Sequence, residues 1–260
     1  MTTTTLTAPG TTAGTAPGTF GRIVNVTRLH LTNRLPIMVL PLMILGFIFL
    51  VNYLIWWLIF SASDAEGAQK ASEGMQFSGA SMFIFVYMLV VAVQAVNLTF
   101  PFAQGYSVTR RDFYLGSSLV FVLLSAYYAA IMTVMALLER ATNGWGFGGA
   151  MFDVVYFRTE NPLLQFAQFF LLFLFFFFIG AATSSVYVRW KSNGMLVFFA
   201  ALALLLVGVI ALVTLTGNWP TVGAWFVANG ALGVAVWSLV PTALAAITGF
   251  LLLRRATPRA

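Results

Sequence analysis

The chain has 260 residues, of which 60% are apolar and 8% charged, with a net charge of +6 and no cysteine. A soluble domain carries about 25% charged residues, so this composition excludes a water-covered globule. Without cysteine there is no disulfide, thiolate metal site or cysteine nucleophile, and the single histidine, His30, argues against a histidine-built zinc centre.

Residues 1–19 are mainly Thr, Ala, Pro and Gly, too little apolar area to offset ordering, and are expected to form a disordered cytoplasmic tail. The tail lacks the basic start and apolar core of a cleaved signal peptide. From Phe20 to Arg34, a helical wheel places Phe20, Ile23, Val24, Thr27, Leu31 and Leu35 on one side, with Arg22, Asn25, Thr32 and Asn33 opposite. This pattern predicts an amphipathic interfacial helix, although Val26 and Leu29 interrupt its polar face; an ordinary basic juxtamembrane segment is the alternative.

Six stretches follow with no Asp, Glu, Lys, Arg or His: Leu35–Ser61, Ala80–Ala103, Tyr114–Leu138, Leu163–Val188, Met195–Thr216 and Leu232–Leu253. Each reaches the roughly 20 residues that a helix needs to cross a bilayer core of about 30 Å. The expected fold is therefore an all-α integral membrane protein with six transmembrane helices, one membrane domain over residues 20–255 and a short cytoplasmic tail at 256–260. No separate globular or nucleotide-binding domain fits between the spans. Pro41 and Pro241 lie inside spans and should bend them. The run Phe175–Phe178 points to a face against lipid, the readier choice, or against a partner subunit, and the segment Gly217–Ala231, rich in Gly and Trp, is expected to dip into the outer interface as a short re-entrant helix.

Lys and Arg divide ten to three across the spans. Arg22, Arg28, Arg34, Arg110, Arg111, Arg189, Lys191, Arg254, Arg255 and Arg259 lie on one side, and Lys70, Arg140 and Arg158 on the other. The positive-inside rule places both termini in the cytoplasm of a cell membrane (plasma or inner). Six of the seven acids lie outside, and Trp56, Trp57, Trp145, Trp219, Trp225 and Trp237 cluster near the outer boundary as an aromatic belt.

No span carries an Asp, Glu, Lys, Arg or His. That removes the usual ion-coupling residue of a gradient-driven carrier and the general base that an intramembrane hydrolase would need to activate Ser117, Ser118, Ser125, Ser184 or Ser185. Those serines read as helix-packing residues. Asn52, Gln94, Asn97, Gln165 and Gln168 are the larger polar residues within spans, and Gln94 and Asn97 share a face. They suit hydrogen bonding across helices, the commoner role, or lining a pathway. No catalytic or metal-binding residue is expected.

Between spans two and three lies Gln104–Gly116, with two arginines, an acid and three aromatics between glycines. It can form a surface helix with Tyr106 and Phe113 in the interface and Arg110, Arg111 and Asp112 exposed to a partner; alternatively the arginines only enforce topology. The six-span architecture, preceded by an amphipathic segment, together with Gly105, Ser107, Arg110, Arg111, Phe113 and Gly116 in a Gly-x-Ser-x-x-Arg-Arg-x-Phe-x-x-Gly pattern, resembles the permease subunit of a type 2 ABC transporter. The resemblance covers about Phe20–Arg255.

The resemblance implies that Gly105, Ser107, Arg110, Arg111, Asp112, Phe113 and Gly116 form a coupling segment seated on a separate ATPase subunit. Two permease copies, identical or not, would enclose the pathway, and transport would be export by family habit. The chain itself would hold no cofactor, since ATP and Mg²⁺ belong to the partner and no Walker A loop is present. Asn52, Gln94 and Asn97 are candidate pathway or interhelical residues. A membrane scaffold or accessory subunit without transport is the alternative, and an ion-coupled carrier a more distant one.

Overall fold

The computed structural model describes residues 18–255. Residues 1–17 of the tail expected at 1–19, and the tail at 256–260, lie outside the described residues, while Thr19 already opens the first helix. Helices are α1 (Thr19–Leu31), α2 (Leu40–Ala62, entered through a π-helical turn at Leu35–Val39), α3 (Ala65–Met75), α4 (Met82–Gly105), α5 (Arg110–Ala141), α6 (Pro162–Leu215), α7 (Trp219–Trp237) and α8 (Leu239–Arg255). No strand occurs among the described residues.

Five segments are long and apolar enough to cross a membrane: Leu35–Ala62, Met82–Gly105, Arg110–Ala141, Pro162–Leu215 and Trp219–Arg255. The fourth has 54 residues, about 80 Å if straight and more than twice a bilayer core. Its backbone is non-helical at one residue, Lys191 (φ 57°, ψ −150°). What the sequence presents as an Arg189–Gly194 loop is thus a single-residue break between two helical halves. The fifth segment breaks similarly at Gly230 (φ 60°, ψ −176°), a conformation without penalty for glycine, so Trp219–Asn229 forms a separate short helix ahead of the last span.

The entry to α2 shows how the chain accommodates Pro41. Proline has no N–H, which leaves the carbonyls one turn earlier without their helical donor. Two tyrosines replace it: Tyr87 Oη donates to Pro36 O at 2.9 Å, and Tyr128 Oη donates to Ile37 O. The bend expected at Pro41 is therefore a π-helical turn held by α4 and α5.

The core lies among α4, α5 and the first half of α6. Phe85, Phe121, Tyr128, Phe169, Phe173 and Phe177 are fully buried there, with Phe121 stacked on Phe177 at 5.2 Å. The Phe175–Phe178 run is not wholly outward: Phe177 is buried, and Phe176 and Phe178 are half-buried and pack tilted or edgewise on Phe85 and Phe121, while Phe175 stays half-exposed. A Cβ at Gly180 would stand 2.4 Å from Leu89 O, so glycine permits α4 and α6 to touch backbone to backbone. Ser184 Oγ donates to Val93 O across the same contact at 2.9 Å. By contrast, the second half of α6 is open on all sides, with Leu196, Leu204 and Leu215 at 72%, 73% and 86% exposure.

Both bundle ends are organised by α5, about 48 Å long. Its first turn carries Arg110–Asp112 and its last carries Glu139 and Arg140, defining a basic and an acidic end.

Candidate functional site at the basic end

Gly105 closes α4, and the chain reverses through Tyr106–Val108, whose N–H groups donate to Ala103 O and Gln104 O. Ser107 takes a left-handed conformation (φ 57°) at the tip. Thr109 then caps α5, its Oγ1 accepting from Asp112 N at 3.1 Å. The segment is a tight turn followed by the first turns of a long span, and not a separate surface helix.

The residues of this segment face two ways. Gly105, Tyr106, Ser107 and Arg111 are exposed, and Arg110 is half-buried. Asp112, Phe113 and Gly116 are buried, so Asp112 does not stand toward solvent as the sequence led one to expect. Its carboxylate accepts from Arg22 Nε of α1 at 2.7 Å, the pairing that a buried charge requires. Phe113 meets Phe100 edge to face at 5.2 Å and His30 at 5.7 Å.

Gly116 is the seat of α1. A Cβ there would stand 2.6 Å from Val26 Cβ and 3.0 Å from Ile23 O, so only glycine admits the helix this closely. Around this notch, Thr27 Oγ1 lies 3.1 Å from Ile23 O and 3.4 Å from Gly116 O, and His30 Nε2 and Ser117 Oγ share a hydrogen bond of 2.8 Å. Burial pushes the His30 pKa down to about 4, so the imidazole is neutral at physiological pH. Val26, which interrupts the polar face in the sequence, is the residue that fills the notch.

The same turn of α5 also holds the end of the chain's last helix. Arg110 Nη1 donates to Arg254 O at 3.0 Å, a cation on the carbonyl end of α8, and Tyr114 Oη donates to Ala246 O at 2.5 Å. Thus α1, α5 and α8 are joined by a few side chains beneath an exposed tip.

The polar span residues are placed variously. Asn52 Nδ2 donates to Ile48 O on its own helix at 2.9 Å, so it joins no neighbour. Gln94 is exposed and Asn97 half-buried, and neither forms a cross-helix hydrogen bond. Ser185 turns back on Ala181 O, whereas Ser184 and Ser117 do bridge helices. Among the described residues, no group of three His, Cys, Asp or Glu could hold a metal.

A second cluster, at the acidic end, escaped the sequence reading, which took its charges only as topology markers. The buried Glu139 carboxylate accepts from Met151 N, Phe152 N and Asp153 N at 2.8–3.3 Å and from Trp145 Nε1 at 2.9 Å. Beside it, Asp153 is gripped by Arg140 through two hydrogen bonds, by Arg158 at 3.1 Å and by Gln165 Nε2 at 3.1 Å. Trp56, expected in an aromatic belt, is buried against Gly149 of this cap. The loop Ala62–Gly79 contributes α3, whose Asp64 caps Gly67 N at 2.9 Å. All acceptors of this cluster are occupied within the chain, which makes it a structural lock.

Comparison with protein-family models, curated proteins and solved structures finds no match for this chain.

Proposed function

We propose that the chain is the membrane-spanning permease subunit of a transporter of the type 2 ABC class, powered by ATP hydrolysis on a separate ATPase subunit. In this reading it makes six passes through a cell membrane (plasma or inner), with α6 turning back at Lys191 and both termini in the cytoplasm. It carries out no chemistry itself. ATP and Mg²⁺ are held by the partner.

The observation that carries the reading is the three-way joint beneath the α4–α5 turn. Tyr106, Ser107 and Arg111 offer an exposed contact, with Arg110 beside them, while Asp112, Phe113 and Gly116 tie that tip to α1, and Arg110 and Tyr114 tie it to α8. A push on the tip is delivered to three helices at once, which is what rigid-body alternation between inward and outward access requires. The open second half of α6 supplies a face for the second permease copy. The test replaces Arg110 and Arg111 with alanine, verifies topology, and follows ATPase co-purification and transport. Loss of both is expected; normal behaviour in both would overturn the assignment of this segment as the coupling contact.

A further inference from the structure

Between the elbow joining α1 to α2 and the flank of α4 lies a cleft of about 280 Å³. Asn33, Gln94 and Thr99 supply its hydrogen-bonding groups, and Ile37, Val91 and Leu98 its apolar wall. No Asp, Glu, Lys or Arg lines it, and His30 at its back is neutral and already bonded to Ser117.

Gln94 is anomalous for a residue halfway along a 24-residue span. Its side chain is exposed and has no hydrogen-bond partner among the described residues, and the same holds for Asn33. Moving an unpaired amide from water to hydrocarbon is costly, because its hydrogen bonds to water are lost with no replacement. Several other polar groups in the spans are paired: Asn52 bonds its own helix, Ser184 bonds Val93 O, and Gln165 bonds Asp153. Ser125 Oγ and Gln168 Oε1 lack a partner but are buried within the protein, whereas Gln94 opens outward. An amide left open at this depth indicates a face that meets something other than lipid tails. Its helical neighbours Val86, Val90, Leu98 and Phe102 are exposed and apolar, so the face is a greasy strip with one polar station.

We propose that this cleft is a water-accessible binding site for an uncharged amphiphile, whose hydroxyl- or amide-bearing head is held by Gln94 and Asn33 while its tail lies along the strip of α4. A charged head has no counter-ion there, and a wholly apolar molecule would leave both amides unpaired. The proposal deepens the transport reading by naming a cargo class, yet solvent access and ligand protection at the cleft are measurable with no ATPase present. The two can therefore fail separately.

The absence of native cysteine lets a single introduced thiol report alone. Three variants, Gln94→Cys, Leu123→Cys on the apolar face of α5 and Gln69→Cys on exposed α3, are placed in vesicles opened to both sides and treated with a membrane-impermeant maleimide. The Gln94→Cys thiol is expected to react about tenfold faster than Leu123→Cys, approaching Gln69→Cys, because labelling needs a hydrated thiolate. A monoacylglycerol should slow it about threefold or more, and a fatty-acid anion of equal chain length should not, given the uncharged lining. A thiol as inert as Leu123→Cys, a spontaneous disulfide between two copies at this position, or equal slowing by both amphiphiles would overturn the proposal. A Gln94→Leu variant with unchanged thermal unfolding separates loss of the site from misfolding.

Discussion

The two ends of the bundle handle buried charge in opposite ways. At the acidic end, Glu139 is wrapped by three backbone N–H groups and an indole, and Asp153 by two arginines and a glutamine, all within one loop and the helix ends it joins. At the basic end a single acid, Asp112, meets Arg22, and the remaining joints are a glycine notch, a neutral histidine and a carbonyl contact from Arg110. The first arrangement is closed and satisfied; the second leaves Tyr106, Ser107 and Arg111 outward. On the proposed reading, one end stays fixed and the other is pushed, and the difference in packing suits those two roles.

The largest expected effect tests the closed end. Glu139→Ala leaves four N–H donors without an acceptor in a buried site, so unfolding stability should fall by about 3 kcal/mol or more, with Glu139→Gln in between. Thermal unfolding in detergent measures this. A loss within the noise would mean the acidic lock is decoration, and the contrast between the ends would collapse.

A smaller effect belongs to the open end. Gly116→Val drives a branched side chain into Val26, where even a Cβ meets 2.6 Å, and should cost about 1–3 kcal/mol by displacing α1. Limited trypsin cleavage at Arg22 and Arg28 should then accelerate while the acidic-end loop stays protected. Equal exposure at both ends would show that the joint is not local.

The smallest effect is a pH dependence. His30 titrates near 4 when docked and near its ordinary value of 6.5 when released, so the undocked form binds more protons between these values. Docking of α1 is thus complete above about pH 6.5 and weakens as pH falls toward 4. A spin label at Asn25→Cys should gain mobility across that window, and His30→Phe should flatten the curve.

Much of this fold was legible in the sequence because a membrane span is a local property. The charge-free window Tyr114–Leu138 falls within α5, Ala80–Ala103 matches α4 except for its first two residues, and the Trp-rich segment after Gly217 does contain a short helix ending near Gly230. What could not be read were tertiary pairings. Val26 looked like a flaw in an amphipathic wheel until Gly116 of a distant helix supplied its notch, and Phe177 looked lipid-facing until Phe121 stacked on it. Glu139 was invisible as a hub because its partners are mainly backbone N–H groups, which carry no sequence signature. Within the coupling segment, the residue types were readable but their facing was not: burial of Asp112 depends on Arg22, ninety positions earlier in the chain.

The central claim is that the exposed tip of the basic end is where an ATPase subunit seats. In a cysteine-free chain it is tested most directly by photo-crosslinkers attached at Ser107→Cys and, as a control, at Gln69→Cys on the acidic end, in membranes of cells that make the natural partners. The account predicts capture of one ATP-hydrolysing subunit from Ser107→Cys and none from Gln69→Cys. Capture of no ATPase at Ser107→Cys, or of the same ATPase from both positions, would contradict it.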